Sequence, residues 1–290
     1  MKSPIRGIHH VTAIASDPQR NLDFYTRVLG VRFVKRTVNF DDPGTYHFYF
    51  GDKTGAPGTI LTFFPWLGAF PGKQGTGMAS ATAYACAPGS LDFWMMRLGE
   101  RAIDFDGPGE RLGEQVIAFR DPDGLGVEIV ASESAEQAGT QVWEGSSIAP
   151  EHALRSFHGV TLCVAGYERT AKLLTETFGY EDAGGERERF RFRSSAGATA
   201  AVVDLRCQPD QMMRGRLGSG AVHHVAFRAK NAAEQLEWRE EIVSLGFNVT
   251  PVLDRQVFHV DLFPGAGRRA VRDCDRRAGL PGGRADRQAG

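Results

Sequence analysis

The sequence predicts an α+β fold of four β-α-β-β-β modules, forming two pseudo-symmetric halves whose mixed sheets curl into cups. Three observations carry this expectation. A short strand-like run, an amphipathic helix and a Leu-Gly or Phe-Gly stop recur four times along 290 residues. Their spacing is nearly constant: Ile8 to Gly30 and Phe157 to Gly179 each span 22 residues (30 − 8, 179 − 157), and Val222 to Gly246 spans 24 (246 − 222). Behind the helices come runs that alternate apolar and polar residues, the period of half-buried antiparallel strands. A fixed period of this length is the mark of a repeated unit.

The first module opens with IHHVTAIA and continues into SDPQRNLDFYTRVLG. Asp17 is the expected N-cap and Pro18 the first helical residue. Leu22, Tyr25, Val28 and Leu29 form an apolar face, and Gly30 stops the helix. YHFYFGD and TILTFF follow as strands. FFPWLGAFPG is too rich in Pro and Gly for a strand and reads as a loop, packed at the core edge or lining a substrate mouth. The second module has SATAYACA, a helix GSLDFWMMRLG stopping at Leu98-Gly99, and strands QVIAFRD and GVEIVAS. The third has FHGVTLCV, a helix YERTAKLLTETFG stopping at Phe178-Gly179, and strands RFRFRS and ATAAVVDL. In GERERFRFRS the charges alternate along a strand, which reads as its solvated face. The fourth has VHHVAFRA and NAAEQLEWREEIVSLG, stopping at Leu245-Gly246. Residues 132–156 lack periodicity and serve as a connector. The expected division is therefore an N-terminal half at 5–131, the connector, a C-terminal half at 157–263, and an aberrant tail at 264–290.

Bulk properties narrow the function. Apolar residues make up 42 % and charged residues 24 %, an ordinary globular composition. A formal net charge of −1 offers no field for nucleic acid or an anionic membrane, so a small partner is expected. No run approaches a membrane span, and MKSPIRGIHH lacks the apolar core of a secretory signal. Cys86, Cys163, Cys207 and Cys274 form no CxxC pair. A reducing cytoplasm is the expected location.

The chemistry sits in the paired histidines. His9-His10 and His223-His224 occupy the same place in modules one and four, whereas modules two and three have Ala-Thr and His158-Gly159 there. Retention in two copies and loss in the others is what one shared site would produce. Modules one and four should share it, leaving modules two and three a vacant counterpart around Glu128. Strand alternation lets only one histidine of each pair look into a given pocket. Imidazole pairs suit iron(II), zinc, manganese or nickel, and two imidazoles with one carboxylate leave coordination positions open for substrate. A structural zinc would be closed by four ligands, commonly with cysteine, and no cysteine lies beside these strands. An open catalytic site is the better reading. Glu128 reads as a relic or structural residue, and His47, alternating with aromatics in TYHFYF, as a strand residue rather than a ligand.

The fourfold module, the segment VKRTVNFDDPGTYHFYFGDKTGAPGTILTFFP and the strand VHHVAF together resemble the vicinal-oxygen-chelate superfamily, and within it the ring-cleaving dioxygenases of the hydroquinone type. The resemblance covers residues 5 to 259. It implies iron(II), with manganese(II) as the other candidate ion, held by His10, His224 and a glutamate on the last strand of module four. It places His9 and His223 behind the ligands and Arg255 near the substrate, as catalytic positions. The implied partners are a small aromatic substrate and dioxygen, and the expected assembly is a homo-oligomer. Two other readings stay open on the same fold: a glyoxalase-like lyase or isomerase with another metal, and a metal-free small-molecule-binding protein of the resistance type.

The third ligand is missing from the chain. No glutamate follows Glu241, and of the 27 residues from Pro264 onward seven are Arg, an implausible closing strand. A natural basic tail would account for this. A one-nucleotide insertion after His259 accounts for more. The neighbouring frame can read SIYFREPGGVLFEIATDGPGFPVDE, whose FREPGGVLFEI matches FRDPDGLGVEI of module two. That frame returns a glutamate at position 272, where Arg272 stands, and a tyrosine in place of Leu262. On this reading the 290-residue chain is short of a ligand and inactive.

Overall fold

The computed structural model describes residues 3–39, 44–137, 140–196, 199–207 and 213–246, with the short segments 253–254, 259–260 and 263–264. In module one, β1 (Ile8–Ala15) leads to α1 (Pro18–Asp23), then β2 (Arg32–Val38), β3 (Tyr46–Gly51) and β4 (Ile60–Pro65). Module two comprises β5 (Met78–Cys86), α2 (Leu91–Glu100), β6 (Phe105–Arg111), β7 (Glu114–Arg120) and β8 (Gly126–Ala131). A one-turn helix, α3 (Ser134–Gln137), stands in the connector. Module three has β9 (Phe157–Val164), α4 (Glu168–Lys172), β10 (Tyr180–Glu186), β11 (Arg189–Ser194) and β12 (Val202–Cys207). Module four has β13 (Val222–Phe227), α5 (Ala232–Ser244) and three two-residue strands, β14 (Leu253–Asp254), β15 (His259–Val260) and β16 (Phe263–Pro264).

Helix ends follow local chemistry. The Asp17 carboxylate accepts the Arg20 N–H at 2.7 Å, and the Asn231 side chain accepts the Glu234 N–H at 2.9 Å. α1 and α4 each run on into a wider π-helical turn, closed by Leu29 N–H to Phe24 O (3.1 Å) and Phe178 N–H to Leu173 O (3.0 Å). Gly30 and Gly179 then take left-handed φ of 68° and 70°, which frees them from the Cβ clash that other residues would meet. The second module departs from the expected Leu98-Gly99 stop. α2 runs through Gly99 to Glu100, and Ala102 takes the left-handed turn at φ 52° instead.

The strands assemble into two large sheets, ordered β16-β13-β1-β4-β3-β2 and β10-β11-β12-β9-β5-β8-β7-β6. Modules one and four therefore build one sheet, and modules two and three the other. Helices cover one face of each. Tyr25 lies against Phe50 and Phe63 on the covered side of the first sheet, within an apolar cluster that also takes in Trp94, Phe157, Phe178 and Trp238.

The other face of the second sheet is ionic, which corrects the reading of GERERFRFRS in part: Glu186, Arg187 and Arg193 are exposed as expected, whereas Arg191 is buried and Arg189 half-buried. Arg191 grips Asp204 with two nitrogens, at 2.8 and 3.0 Å, and also donates to Glu114. Arg189 donates to Asp204 and to Thr161, both at 2.9 Å. His158 sits 3.0 Å from Glu114, and Arg111 2.8 Å from Glu128. The physical reason is the facing strands: three carboxylates point into this cup and must be neutralised there. Burial alone would raise the Glu114 pKa, but the His158 hydrogen bond and the Arg191 charge outweigh it and hold it at about 2.

Two outcomes follow. Arg191→Met removes the two-pronged partner of Asp204 and one cation from Glu114, leaving Arg189 and His158 to offset the rest. It should lower unfolding free energy by about 3 kcal/mol in urea titrations, a loss under about 1 kcal/mol refuting the network. Because the folded pKa of Glu114 lies below its unfolded value, its stabilisation is complete above about pH 4.5 and disappears as pH falls toward about 2. Glu114→Gln should flatten that part of the acid-unfolding curve.

Candidate metal centre

The two histidine pairs meet where β1 runs antiparallel to β13. Their register is irregular in an informative way: Ile8 faces Phe227, His10 faces Ala226, Thr12 faces His224 and Ala13 faces Val222. Between the first two pairs β1 advances two residues for one on β13, and between the last two the excess lies on β13. His9 and His223 are thus the extra residues of two β-bulges. Strand alternation would send each to the face opposite its neighbour. The bulges re-aim them instead, and all four imidazoles join one string. The Nδ1 atoms of His9 and His10 are 3.0 Å apart, the Nε2 atoms of His10 and His224 are 3.2 Å apart, and the Nδ1 atoms of His224 and His223 are 2.9 Å apart. The rule that one histidine per pair faces the site is corrected accordingly.

His10 and His224 are buried, and their Nε2 atoms converge. Two nitrogens bound to one ion at about 2.0–2.1 Å, subtending 90–109°, stand about 2.9–3.4 Å apart. The observed 3.2 Å falls inside that window, so the imidazole pair fits two neighbouring positions on a metal ion. Offering both Nε2 lone pairs requires each Nδ1 to carry a hydrogen and donate it outward. His9 can accept, because burial first and the Arg228 charge second lower its pKa to about 4 and keep it neutral.

A third donor is not supplied among the described residues, where no group of three His, Cys, Asp or Glu is placed to hold an ion. Register locates the matching place in modules one to three, on the strand that runs parallel to the opening strand. Opposite Thr12 in module one it is Thr62. The matching place is Glu128 opposite Ala83 in module two, and Asp204 opposite Thr161 in module three. Arg255, Leu262 and Arg272 lie outside the described residues, as does the whole of the expected tail but for Pro264, the last residue of β16.

The second sheet repeats the device without the ligands. Where β5 pairs with β9, the extra residues are Ser80 and His158, and the places of His10 and His224 fall to Ala81 and Gly159. A Cβ on Gly159 would lie 2.2 Å from the Val202 carbonyl oxygen, so the backbone of β12 already fills that space. The pocket around Glu128 is lined by Arg111, Glu114, His158, Arg191 and Asp204.

Aromatic residues wall the histidine site. Phe64, next to the end of β4, stands edge-on to His223 with centroids 5.4 Å apart, and His47 lies 4.5 Å from Phe64. FFPWLGAFPG therefore divides: Phe63, Phe64 and Pro65 complete a strand, while Leu67 and Phe70 beyond them are 82 % and 85 % exposed. His47 is a strand residue, yet sequence reasoning missed its connections. Its Nδ1 is 2.8 Å from the Tyr49 hydroxyl and its Nε2 2.9 Å from the Thr62 hydroxyl. The alternation of TYHFYF was the available signal, since it puts His47 and Tyr49 on the face that carries His10.

Curled mixed sheets of repeated β-α-β-β-β modules, with paired imidazoles between the first and last modules, define a vicinal-oxygen-chelate protein. The chain belongs to the Glyoxalase/Bleomycin resistance protein/Dioxygenase superfamily, which matches over residues 7–129. Within it, the chain is 45 % identical to the Bacillus subtilis (strain 168) protein named "Putative ring-cleaving dioxygenase MhqO", over 91 % of this chain and 82 % of that one. It is 31 % identical to the chlorohydroquinone/hydroquinone 1,2-dioxygenase of Sphingobium indicum, over 84 % of this chain and 76 % of that one. A crystal structure of a B. subtilis dioxygenase-type protein superposes with a TM-score of 0.80 at 46 % identity, covering 87 % of this chain and 79 % of that chain. A Zea mays glyoxalase I variant shares the fold, with a TM-score of 0.64 at 15 % identity over 90 % and 89 % of the two chains.

Gly159→Ala should lower stability by about 1–3 kcal/mol, since β12 must move to admit one methyl group. A melting temperature equal to that of the parent protein would show that β12 yields freely and that the second cup is not closed to a side chain there.

Proposed function

We propose that this protein is an iron(II)-dependent dioxygenase that opens the ring of a hydroquinone or a related dihydroxy-aromatic with O2. The observation that carries the reading is the convergence of the His10 and His224 Nε2 atoms at 3.2 Å, in a chain whose relatives are named as ring-cleaving dioxygenases. His10 and His224 would hold the ion, and a carboxylate at the place of Arg272 would complete a three-ligand face. Manganese(II) suits the same donors. Bound there, the ion supplies a Lewis-acidic, redox-active centre at which an aromatic diol and O2 can meet.

The chain's own residues do the rest. His9 and His223 accept the Nδ1 hydrogens of the two ligands and so fix their tautomers and ring planes. Phe64, beside His223, gives an aromatic ring an apolar wall. Arg255 is assigned to steady the anion that develops on the substrate. The expected partners are a small aromatic diol and O2, acting in the cytoplasm on a homo-oligomer.

The missing carboxylate separates two proteins. After anaerobic loading and desalting, the 290-residue chain should retain well under one iron per chain by metal analysis. A chain restored to the other frame after His259 should retain one and consume O2 with hydroquinones. Full occupancy in the 290-residue chain would refute the missing-ligand reading. An iron-loaded restored chain that leaves O2 untouched across hydroquinones and catechols, but turns over a thiol adduct anaerobically, would make it a glyoxalase-like lyase.

In the restored chain, His10→Ala or His224→Ala should abolish iron retention. His9→Ala should keep the metal at about 10–100-fold weaker affinity and slow turnover. Equal loss in His9→Ala and His10→Ala would show the roles assigned the wrong way round.

A further inference from the structure

We propose that the paired loops at 66–76 and 213–219 form an amphipathic ribbon that docks this protein on an anionic membrane surface. The inference rests on exposed side chains and their charge, and is independent of the dioxygenase reading. Among the described residues, the three most exposed large apolar side chains are Phe70 (85 %), Leu67 (82 %) and Met213 (73 %), and all three lie on this ribbon. The next, Met96, is 58 % exposed and stands elsewhere, on α2. Apolar residues scattered singly over a surface need no explanation, but the extreme cases gathered on one element do. Their exposure belongs to a fixed frame. Ser219 N–H donates to the Phe70 carbonyl at 3.0 Å, and Gly72 N–H to the Ser219 carbonyl at 2.8 Å. Lys73 and Arg216 exchange both backbone hydrogen bonds, at 2.9 and 2.8 Å, and Thr76 N–H reaches the Met213 carbonyl at 3.0 Å. A Cβ on Gly218 would lie 2.4 Å from the Phe70 carbonyl oxygen, so glycine there lets the two loops close on each other. At the start of the ribbon Trp66 donates its backbone N–H to Ala15 at 2.8 Å and stacks on Phe64. Held this way, Leu67 and Phe70 lose little conformational freedom on entering an apolar phase.

Charge selects the occupant. Lys73, Arg214 and Arg216 are exposed on the same ribbon, and Lys73 Nζ lies 3.9 Å from the Met213 sulfur. Among the described residues, no carboxylate pairs with any of the three. Two copies meeting through this ribbon would bring two sets of like charges together around the apolar contact, which opposes self-association. A nucleic acid would meet the cations but leave Leu67 without a partner, since an aliphatic side chain can neither pair with a phosphate nor stack as an aromatic does. An anionic bilayer satisfies both halves of the ribbon. Its head groups take the cations, each Lys or Arg near the surface strengthening binding about fivefold, and its acyl boundary takes the apolar side chains. The net charge of −1 averages over the whole chain and conceals this local excess of cations.

Co-sedimentation of the 290-residue chain with vesicles tests the proposal, using phosphatidylglycerol mixed with phosphatidylcholine against phosphatidylcholine alone. The chain should sediment with the anionic vesicles, stay in solution with the neutral ones, and be released by high salt. Leu67→Ser combined with Phe70→Ser should weaken binding by about tenfold or more. Arg214→Gln combined with Arg216→Gln should weaken it about 10–30-fold. All four side chains are exposed, so the melting temperatures of both variants should match that of the parent. The frame-restored chain lacks the arginine-rich tail and should bind as tightly as the parent. No binding, equal binding to neutral and anionic vesicles, or binding that survives both double substitutions would overturn the proposal. Binding lost in the frame-restored chain would assign it to the tail and overturn it as well. A concentration-dependent dimer abolished by the Leu67 and Phe70 substitutions would make the ribbon an interface between copies. Duplex DNA binding abolished by the Arg214 and Arg216 substitutions would make it a nucleic-acid contact. Either result overturns the membrane assignment.

Discussion

Everything at the histidine site depends on one antiparallel pairing, between the first strand of the chain and a strand more than two hundred residues later. β1 and β13 bring His10 and His224 together, and the two bulges between them turn four imidazoles toward one another. A regular ladder would leave His9 and His223 on the wrong face, where they could fix neither the tautomer nor the plane of the ligand rings. The pairing also has a cost in order of events. Modules two and three, adjacent in sequence, can form their sheet from nearer contacts, whereas the β1–β13 pairing that completes the first sheet must await the fourth module. The site is the last part of the fold that the chain can complete.

The two sheets carry different chemistry on one strand geometry, a bulged antiparallel pairing with a parallel strand beside it. In the first cup four imidazoles meet and the neighbouring β4 presents Thr62. In the second, Glu128, Asp204 and Glu114 are present, the imidazole places are Ala81 and Gly159, and Arg111, Arg189 and Arg191 supply the positive charge. Buried carboxylates need a cation within a few ångströms, whatever its chemical nature.

Much of the fold was legible because its signals are local. Asp17 before Pro18, and Gly30 and Gly179 after their helices, announce caps and stops through chemistry that acts within a few residues. The histidine pairs stood out because a fourfold repeat supplied its own comparison, and the structure brings them together. What was not legible depends on strands meeting strands. The bulges arise from mismatched register between distant segments, so nothing near His9 or His223 betrays them. The burial of Arg189 and Arg191 depends on Asp204 and Glu114, which lie on other strands, so an alternating charged run looked like a wet surface. The Leu98-Gly99 stop failed for a smaller reason: a glycine permits a helix to end but does not compel it, and α2 ends beyond it.

Arg191 has a consequence for how such a molecule can change over generations. Its guanidinium occupies the charged centre of the second cup as a cation that is translated with the chain, so that half of the protein holds its buried carboxylates without an ion from solution. Giving it a histidine pair like that of the first cup would require removing the arginine, replacing Ala81 and Gly159, and displacing β12 from the space that Gly159 leaves to Val202. Each step alone exposes a buried anion or forces two backbones together, so no single substitution leads there through a stable intermediate. The two cups are thereby held to different chemistry, the second committed to an internal ion network that ties its strands together.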